Sequence, residues 1–181
     1  MEKHTVDDAE EKNEINKKEK IFLIHVYFNQ EFWLYVEING SAILEDLDYF
    51  LRKIWVECCD HRSKFTINGG AYYSHVEAMG KAIHRILPVT RSFDYIYDFG
   101  TPTELKGNVI TSRFGILKNG IRLIAQNNLP DNILCTLCQK TSHVICRDCF
   151  ETYCQTCKQN HTSCDREYCM LPVVNSPRMG L

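Results

Sequence analysis

The 181-residue chain has no apolar run approaching the eighteen or more residues that a membrane-spanning helix requires, so it is not expected to cross a bilayer. It has no Walker loop, no G-x-G-x-x-G, no G-x-S-x-G and no H-E-x-x-H. The chemistries that can be read from a short local motif are therefore missing. Positive charge is not in excess either: the formal net charge is −2. Between Asn132 and Met170, Lys140, Arg147, Lys158 and Arg166 are offset by Asp148, Glu151, Asp165 and Glu167. A module that depended on phosphate contacts would carry a basic surplus. The opening residues M-E-K-H-T-V-D-D-A-E-E-K contain no apolar h-region, so a cytoplasmic location is expected. With 44% hydrophobic and 24% charged residues, the composition is that of a soluble globular chain with one core and an appendage.

What the chain does have is cysteine in pairs. C-T-L-C, C-R-D-C, C-Q-T-C and H-T-S-C follow one another between Cys135 and Cys164. Two intervening residues let both donors of a pair occupy adjacent corners of one tetrahedron, which is the spacing of zinc knuckles. Eight donors make two four-coordinate Zn2+ sites with no corner left for water, the arrangement of structural ions. If neighbouring pairs shared an ion, they would be separated by only seven and three residues. If the pairs alternate, Cys135 and Cys138 join Cys154 and Cys157 across fifteen residues, while Cys146 and Cys149 join His161 and Cys164 across eleven. The longer loops fit usual zinc-site spacings better, so an interleaved arrangement is expected. The pattern C-x2-C-x7-C-x2-C-x4-C-x2-C-x3-H-x2-C resembles the cross-braced B-box fingers and the related HIT-type fingers. His143 and Cys169 are further donors that could take the place of an assigned ligand. A segment this short buries too little to fold alone, whereas a structural zinc supplies roughly 10–16 kcal/mol of apparent binding energy.

The first twenty residues hold seven acidic and five basic side chains and read as a solvated tail. From Ile21, I-F-L-I-H-V-Y-F and F-W-L-Y-V-E-I predict a hairpin turning at Asn29, Gln30 and Glu31. Leu44, Leu47, Leu51, Ile54, Trp55 and Cys58 recur at helical steps, predicting an amphipathic helix of about four turns with Asp48 and Arg52 paired on its wet side. Cys58 and Cys59 read as small buried thiols on that helix. Asn68-Gly69-Gly70 and Asn119-Gly120 both predict tight hairpins. Lys81 to Leu87 reads as a short helix stopped by Pro88. Phe93, Tyr95, Tyr97 and Phe99 alternate as on a half-buried strand, with the row facing the core. The predicted fold is α+β: a mostly antiparallel sheet packed on one main helix, followed by a small cross-braced double-zinc module. The expected divisions are a charged tail at 1–20, the α+β body at 21–128, the zinc module at 129–170 and a docking tail at 171–181.

Trp33, the helix sequence L-E-D-L-D-Y-F-L-R-K-I-W, His61 with Phe65 and Ile67, Tyr97-Asp98-Phe99-Gly100 and I-R-L-I-A-Q-N-N from Ile121 resemble the family named after the third open reading frame of the plant root-inducing plasmid. A subgroup of that family carries a cysteine-rich C-terminal module and an L-P-V-V-N-S-P-R-M-G segment, which stands here at Leu171 to Gly180. The resemblance implies an α+β fold and no activity. Two departures matter. Relatives follow Y-D-F-G with an acidic residue, a tryptophan and a histidine, where this chain has Thr101, Pro102, Thr103, Glu104 and Leu105. They also start the main helix with threonine where Ile43 stands, so the helix cap must come from Ser41 or water.

No catalytic residue is assigned. His61, Asp98 and Glu104 would form an acid–base cluster only if the fold brought them together. The expected role is that of a zinc-binding adaptor whose partner is another protein, with a nucleic-acid factor or an enzyme built on the α+β body as the alternative.

Overall fold

The computed structural model describes residues 18–56, 60–129, 133–162, 164 and 169–180, so most of the expected charged tail, together with Cys58 and Cys59, lies outside the described residues. β1 (Glu19–Phe28) and β2 (Phe32–Asn39) form the first hairpin, with Phe28 opposite Phe32. Asn29 turns it with a φ of 51°, and its Oδ1 accepts the Glu31 N–H at 2.7 Å. The main helix, α1 (Leu44–Leu51), continues as a π-helical turn over Arg52–Val56. β3 (Ser63–Ile67) and β4 (Gly70–Tyr73) are joined by Asn68 and Gly69, whose φ values of 54° and 79° are what a two-residue type I′ turn requires. A short helix α2 (Ile83–Ile86) precedes β5 (Ser92–Tyr97), β6 (Thr103–Gly115) and β7 (Ile121–Gln126). All seven strands form one antiparallel sheet in the order β4-β3-β5-β6-β1-β2-β7.

The second Asn-Gly turn does not do what its sequence predicts. β6 and β7 do not pair, because β1 and β2 lie between them and β7 adds to β2 at the sheet edge. Gly120 still turns the chain, with a φ of 73° and its N–H bonded to the Leu117 carbonyl, but the turn serves a crossover.

Alternation sends Phe22, Ile24 and Val26 of β1, Leu34, Val36 and Ile38 of β2, and Phe93, Tyr95 and Tyr97 of β5 to one face, against Leu44, Leu47, Leu51 and Trp55. The row from Phe93 to Tyr97 is therefore core, while Phe99, beyond the strand end, is 49% exposed. Gly107 stands opposite Phe93, and a Cβ there would enter the Phe93 ring, so the close approach of β6 to that ring requires glycine. On the other face, His25 stacks on Tyr35 with ring centroids 4.5 Å apart and on Tyr27 at 5.1 Å. Glu37 gathers Arg113 and Arg122 at 2.7 Å each, tying β2 to β6 and β7, and the Arg113 hydrogen bonds hold its carboxyl below the usual range.

Two local expectations are corrected. Asp48 and Arg52 do pair, at 2.8 Å, but both are buried and not on a wet face. Ser63 Oγ and Tyr95 OH both donate to Asp48 Oδ1, and Arg52 Nη2 reaches Ser63 Oγ at 3.2 Å, so the pair enters the core with its hydrogen bonds satisfied. The Ser41 side chain does not cap the helix. Asp46 Oδ2 accepts the Ile43 N–H at 2.8 Å, and the Leu44 N–H bonds to the Lys81 carbonyl at 3.0 Å.

After β7 the chain builds a smaller sheet of β8 (Val144–Cys146), β9 (Thr152–Tyr153) and β10 (Met170–Pro172), in the order β10-β8-β9. Its buried apolar cluster is Cys135, Tyr153 and Cys154. None of the described helices is long and apolar enough to cross a membrane.

Removing the Asp48 carboxylate strands two hydroxyl donors, Ser63 and Tyr95, and the Arg52 guanidinium. Asp48→Ala is expected to cost about 3–5 kcal/mol in urea unfolding, while Glu45→Ala, on the exposed side of the same helix, should stay within about 0.5 kcal/mol.

Candidate metal centre

The first two knuckles have the same backbone. The Cys135 N–H bonds to the Lys140 carbonyl and the Gln139 N–H to the Cys135 carbonyl; eleven residues on, the Cys146 N–H bonds to the Glu151 carbonyl and the Phe150 N–H to the Cys146 carbonyl. In each case the residue after the second cysteine turns left-handed, with φ of 60° at Gln139 and 58° at Phe150. The third pair makes the same bond, from the Lys158 N–H to the Cys154 carbonyl, but continues into a 3-10 turn at Lys158–Asn160 instead of turning left-handed.

These turns bring the side chains together in alternation. The sulfur atoms of Cys135, Cys138, Cys154 and Cys157 lie within 4.8 Å of one another. The ligand atoms of Cys146, Cys149, His161 and Cys164 do the same. Cys138 and Cys154 sulfurs are 3.6 Å apart, those of Cys146 and Cys164 3.7 Å, and Cys149 Sγ is 4.0 Å from His161 Nε2. A tetrahedron with zinc–sulfur bonds of 2.3 Å has edges of about 3.8 Å, so the separations are those of donors around one ion. A disulfide would need sulfurs about 2.05 Å apart. Thiolate and imidazole are also the donors that zinc prefers, and each group offers four. Either group can thus take a metal ion.

Local hydrogen bonds prepare the leading cysteines. Burial pushes the Cys135 thiol up, but the N–H groups of Cys154, Cys138 and Leu137 and the Cys138 thiol outweigh it and bring it to about 6. At Cys146 burial is likewise outweighed, by the N–H groups of Cys149 and Asp148 and by the thiols of Cys149 and Cys169, and the value again falls to about 6. The trailing members behave oppositely. Hydrogen bonds that the Cys157 thiol donates to Cys138 and Cys154 push it up to about 12, and burial with the neighbouring Cys146 pushes Cys164 up to about 12. Each group therefore holds thiolates and protonated thiols together, and a metal would displace the remaining protons.

His161 is held by residues that spacing does not reveal. Its Nδ1 lies 3.0 Å from Tyr153 OH, and that hydroxyl donates to Glu151 Oε2. The hydroxyl can then accept the Nδ1 proton, which leaves Nε2 bare toward the sulfurs. Burial first, and Glu151 second, raise the Tyr153 hydroxyl, so it remains a donor. His143 is exposed and stands in neither group; its backbone serves the small sheet. Cys169 is buried and lies within 4.8 Å of Cys146 and Asp148, beside the second group.

The segment after β10 runs onto the larger sheet. Asn175 Nδ2 bonds to the Asn127 carbonyl at 2.7 Å, and its Oδ1 accepts from Asn127 Nδ2 at 3.0 Å. Ser176 Oγ donates to the Trp55 carbonyl. Arg178 reaches Asp98 Oδ2 at 3.0 Å, Thr103 Oγ1 and the Thr101 carbonyl at 2.9 Å, and lies over the Tyr97 ring, which Arg52 also flanks. Of the three residues weighed for acid–base work, His61 and Asp98 approach to 3.9 Å, while Glu104 is exposed on β6 opposite Ile96. Asp98 is already engaged: burial works against its charge, but the Thr101 and Gly100 N–H groups and Arg178 hold its carboxyl below the usual range. It anchors a turn and the C-terminal segment.

No family model matches the chain, and no curated protein does. Among solved structures, the crystal structure of a protein of unknown function from Methanosarcina mazei Go1 is similar over 63% of this chain and 74% of that one, at 15% identity and a TM-score of 0.49.

Because Asp98 is the carboxylate that Arg178 meets, Asp98→Asn is expected to speed amide hydrogen exchange at residues 174–180 while strands β1 and β2 keep wild-type protection. Equal protection of the segment in both proteins would show that the pair does not hold it.

Proposed function

We propose that the C-terminal quarter is a double-zinc module and that the protein acts by presenting this module, fixed on the α+β body, to another protein in the cytoplasm. The observation that carries the reading is the alternation of two four-donor groups along the chain. Four soft donors per ion leave no open corner, so the ions hold the backbone and activate no water. Apolar side chains on the knuckle surfaces support a protein partner: Leu137 is 55% exposed and Phe150 57%. Exposed apolar side chains on a module without a basic surplus suit a protein surface better than phosphate. The balanced charge of the module agrees with this. Membership of the root-inducing-plasmid open-reading-frame-three family belongs to the same proposal. Two of its motifs support it by meeting here, Asp98 of Y-D-F-G with Arg178 of the terminal segment.

Native mass spectrometry of the full chain is expected to give two zinc ions per monomer. Cys154→Ser should lose the ion of Cys135 and Cys138 and leave the one held by Cys146 and Cys149. Loss of both ions would show collapse of the module as a whole. Affinity capture with the wild-type chain should recover protein, and a Leu137→Ser, Phe150→Ser double variant should not. Recovery of nucleic acid in place of protein would overturn the adaptor reading.

A further inference from the structure

The first donor group is complete with four sulfurs, and no fifth donor is grouped with it among the described residues. The second group has a neighbour. Cys169 shares Cys146 in a further cluster, Cys146, Asp148 and Cys169, whose ligand atoms lie within 4.8 Å of one another. Counting Cys169, the second site has four sulfurs and one imidazole for four corners.

The extra sulfur is on the rigid side of the site. Cys169 immediately precedes β10, which pairs with β8 through Met170 and Cys146, and the Cys169 carbonyl accepts the Arg147 N–H at 2.9 Å. It is 4% exposed. His161 and Cys164 arrive on a different segment, beyond the turn at Lys158–Asn160, and both are half-buried. The described residues there, His161, Thr162 and Cys164, lie outside both sheets. Cys146 is thus on a strand and Cys169 adjoins one, whereas His161 and Cys164 are on neither.

We propose that Cys169 is a reserve ligand of the second centre, able to take the fourth corner when His161 or Cys164 leaves it, so that the ion stays while its exposed arm exchanges. This rests on the double-zinc reading above. In the exchange the bond from metal to His161 Nε2 breaks, Cys169 Sγ gives its proton to solvent, and a metal–sulfur bond forms. Nothing is oxidised or reduced. The site passes from three sulfurs and one nitrogen to four sulfurs, a set that favours thiophilic ions more strongly. The movement needed is small, because the Cys169 sulfur already lies within 4.8 Å of the Cys146 sulfur that both sets share.

The test uses the full chain loaded with cobalt, whose visible spectrum distinguishes three-sulfur from four-sulfur tetrahedra, together with native mass spectrometry. His161→Ala is expected to keep two ions per monomer and to shift the cobalt bands to longer wavelength. The double variant His161→Ala, Cys169→Ser should hold one. Cys164→Ser, tested with and without Cys169→Ser, provides the same comparison on the other arm residue, and the ion of the first centre reports folding in every sample. If wild-type protein binds two ions and both His161→Ala and Cys164→Ser bind one, Cys169 is not a reserve ligand and only this inference fails. If His161→Ala keeps two ions with or without Cys169, solvent fills the corner and the inference fails as well. If wild-type protein binds fewer than two ions, the double-zinc reading itself falls.

Discussion

Convergence of sulfur and nitrogen donors into two groups is the constraint on which the C-terminal part of the fold depends, because buried apolar surface is scarce there. Its apolar cluster is Cys135, Tyr153 and Cys154, and two of those three are donors. The body, by contrast, packs two sheet hairpins, β5 and α1 into one continuous core. Strands of two or three residues such as β8 and β9 are far below the length that holds a sheet together unaided. Their register follows from the knuckles that flank them: Cys146 ends β8, and Cys154 follows β9 directly.

A second set of contacts makes the smaller unit part of the whole. Asn175, Ser176 and Arg178 reach three separate places at one end of the larger sheet: the residue following β7, the end of the π-helical turn, and the loop between β5 and β6. Each bond uses a group that would otherwise be costly to bury, such as the Trp55 carbonyl at a helix end or the Asp98 carboxylate. Tyr97 lies at the centre, with Arg52 from the helix and Arg178 from the last segment both against its ring. The buried carboxylates Asp48 and Asp98 each engage one of these two arginines. Charge near this ring is therefore matched within the fold, which explains how residues that look available for chemistry in the sequence come to be structural.

Much of this architecture was legible before any coordinates. Alternation identified β1, β2 and β5, three-and-four spacing identified α1, and Asn68-Gly69 identified its hairpin. The donor grouping followed from loop length, since two-residue spacings fix the knuckles and longer loops favour alternation. Three features escaped for physical reasons. Asn119-Gly120 states that the chain turns and not which strand the next one will join, and that choice is made by the edge of β2. Asp48 and Arg52 look solvent-facing because polarity is a proxy for exposure, and the proxy fails when Ser63 and Tyr95, from distant strands, supply partners. Tyr153 and Glu151 orient His161 through side-chain contacts that no spacing rule encodes.

Alternation of the donors also determines what can be taken from this protein as a part. In tandem fingers each ion is enclosed by a contiguous stretch, so one finger can be cut away, duplicated or transplanted without its neighbour. Here a chain ended between Cys149 and Cys154 would keep two donors of each group and complete neither. The C-terminal quarter is therefore indivisible, and a gene fragment carrying half of it encodes no smaller version of the same thing.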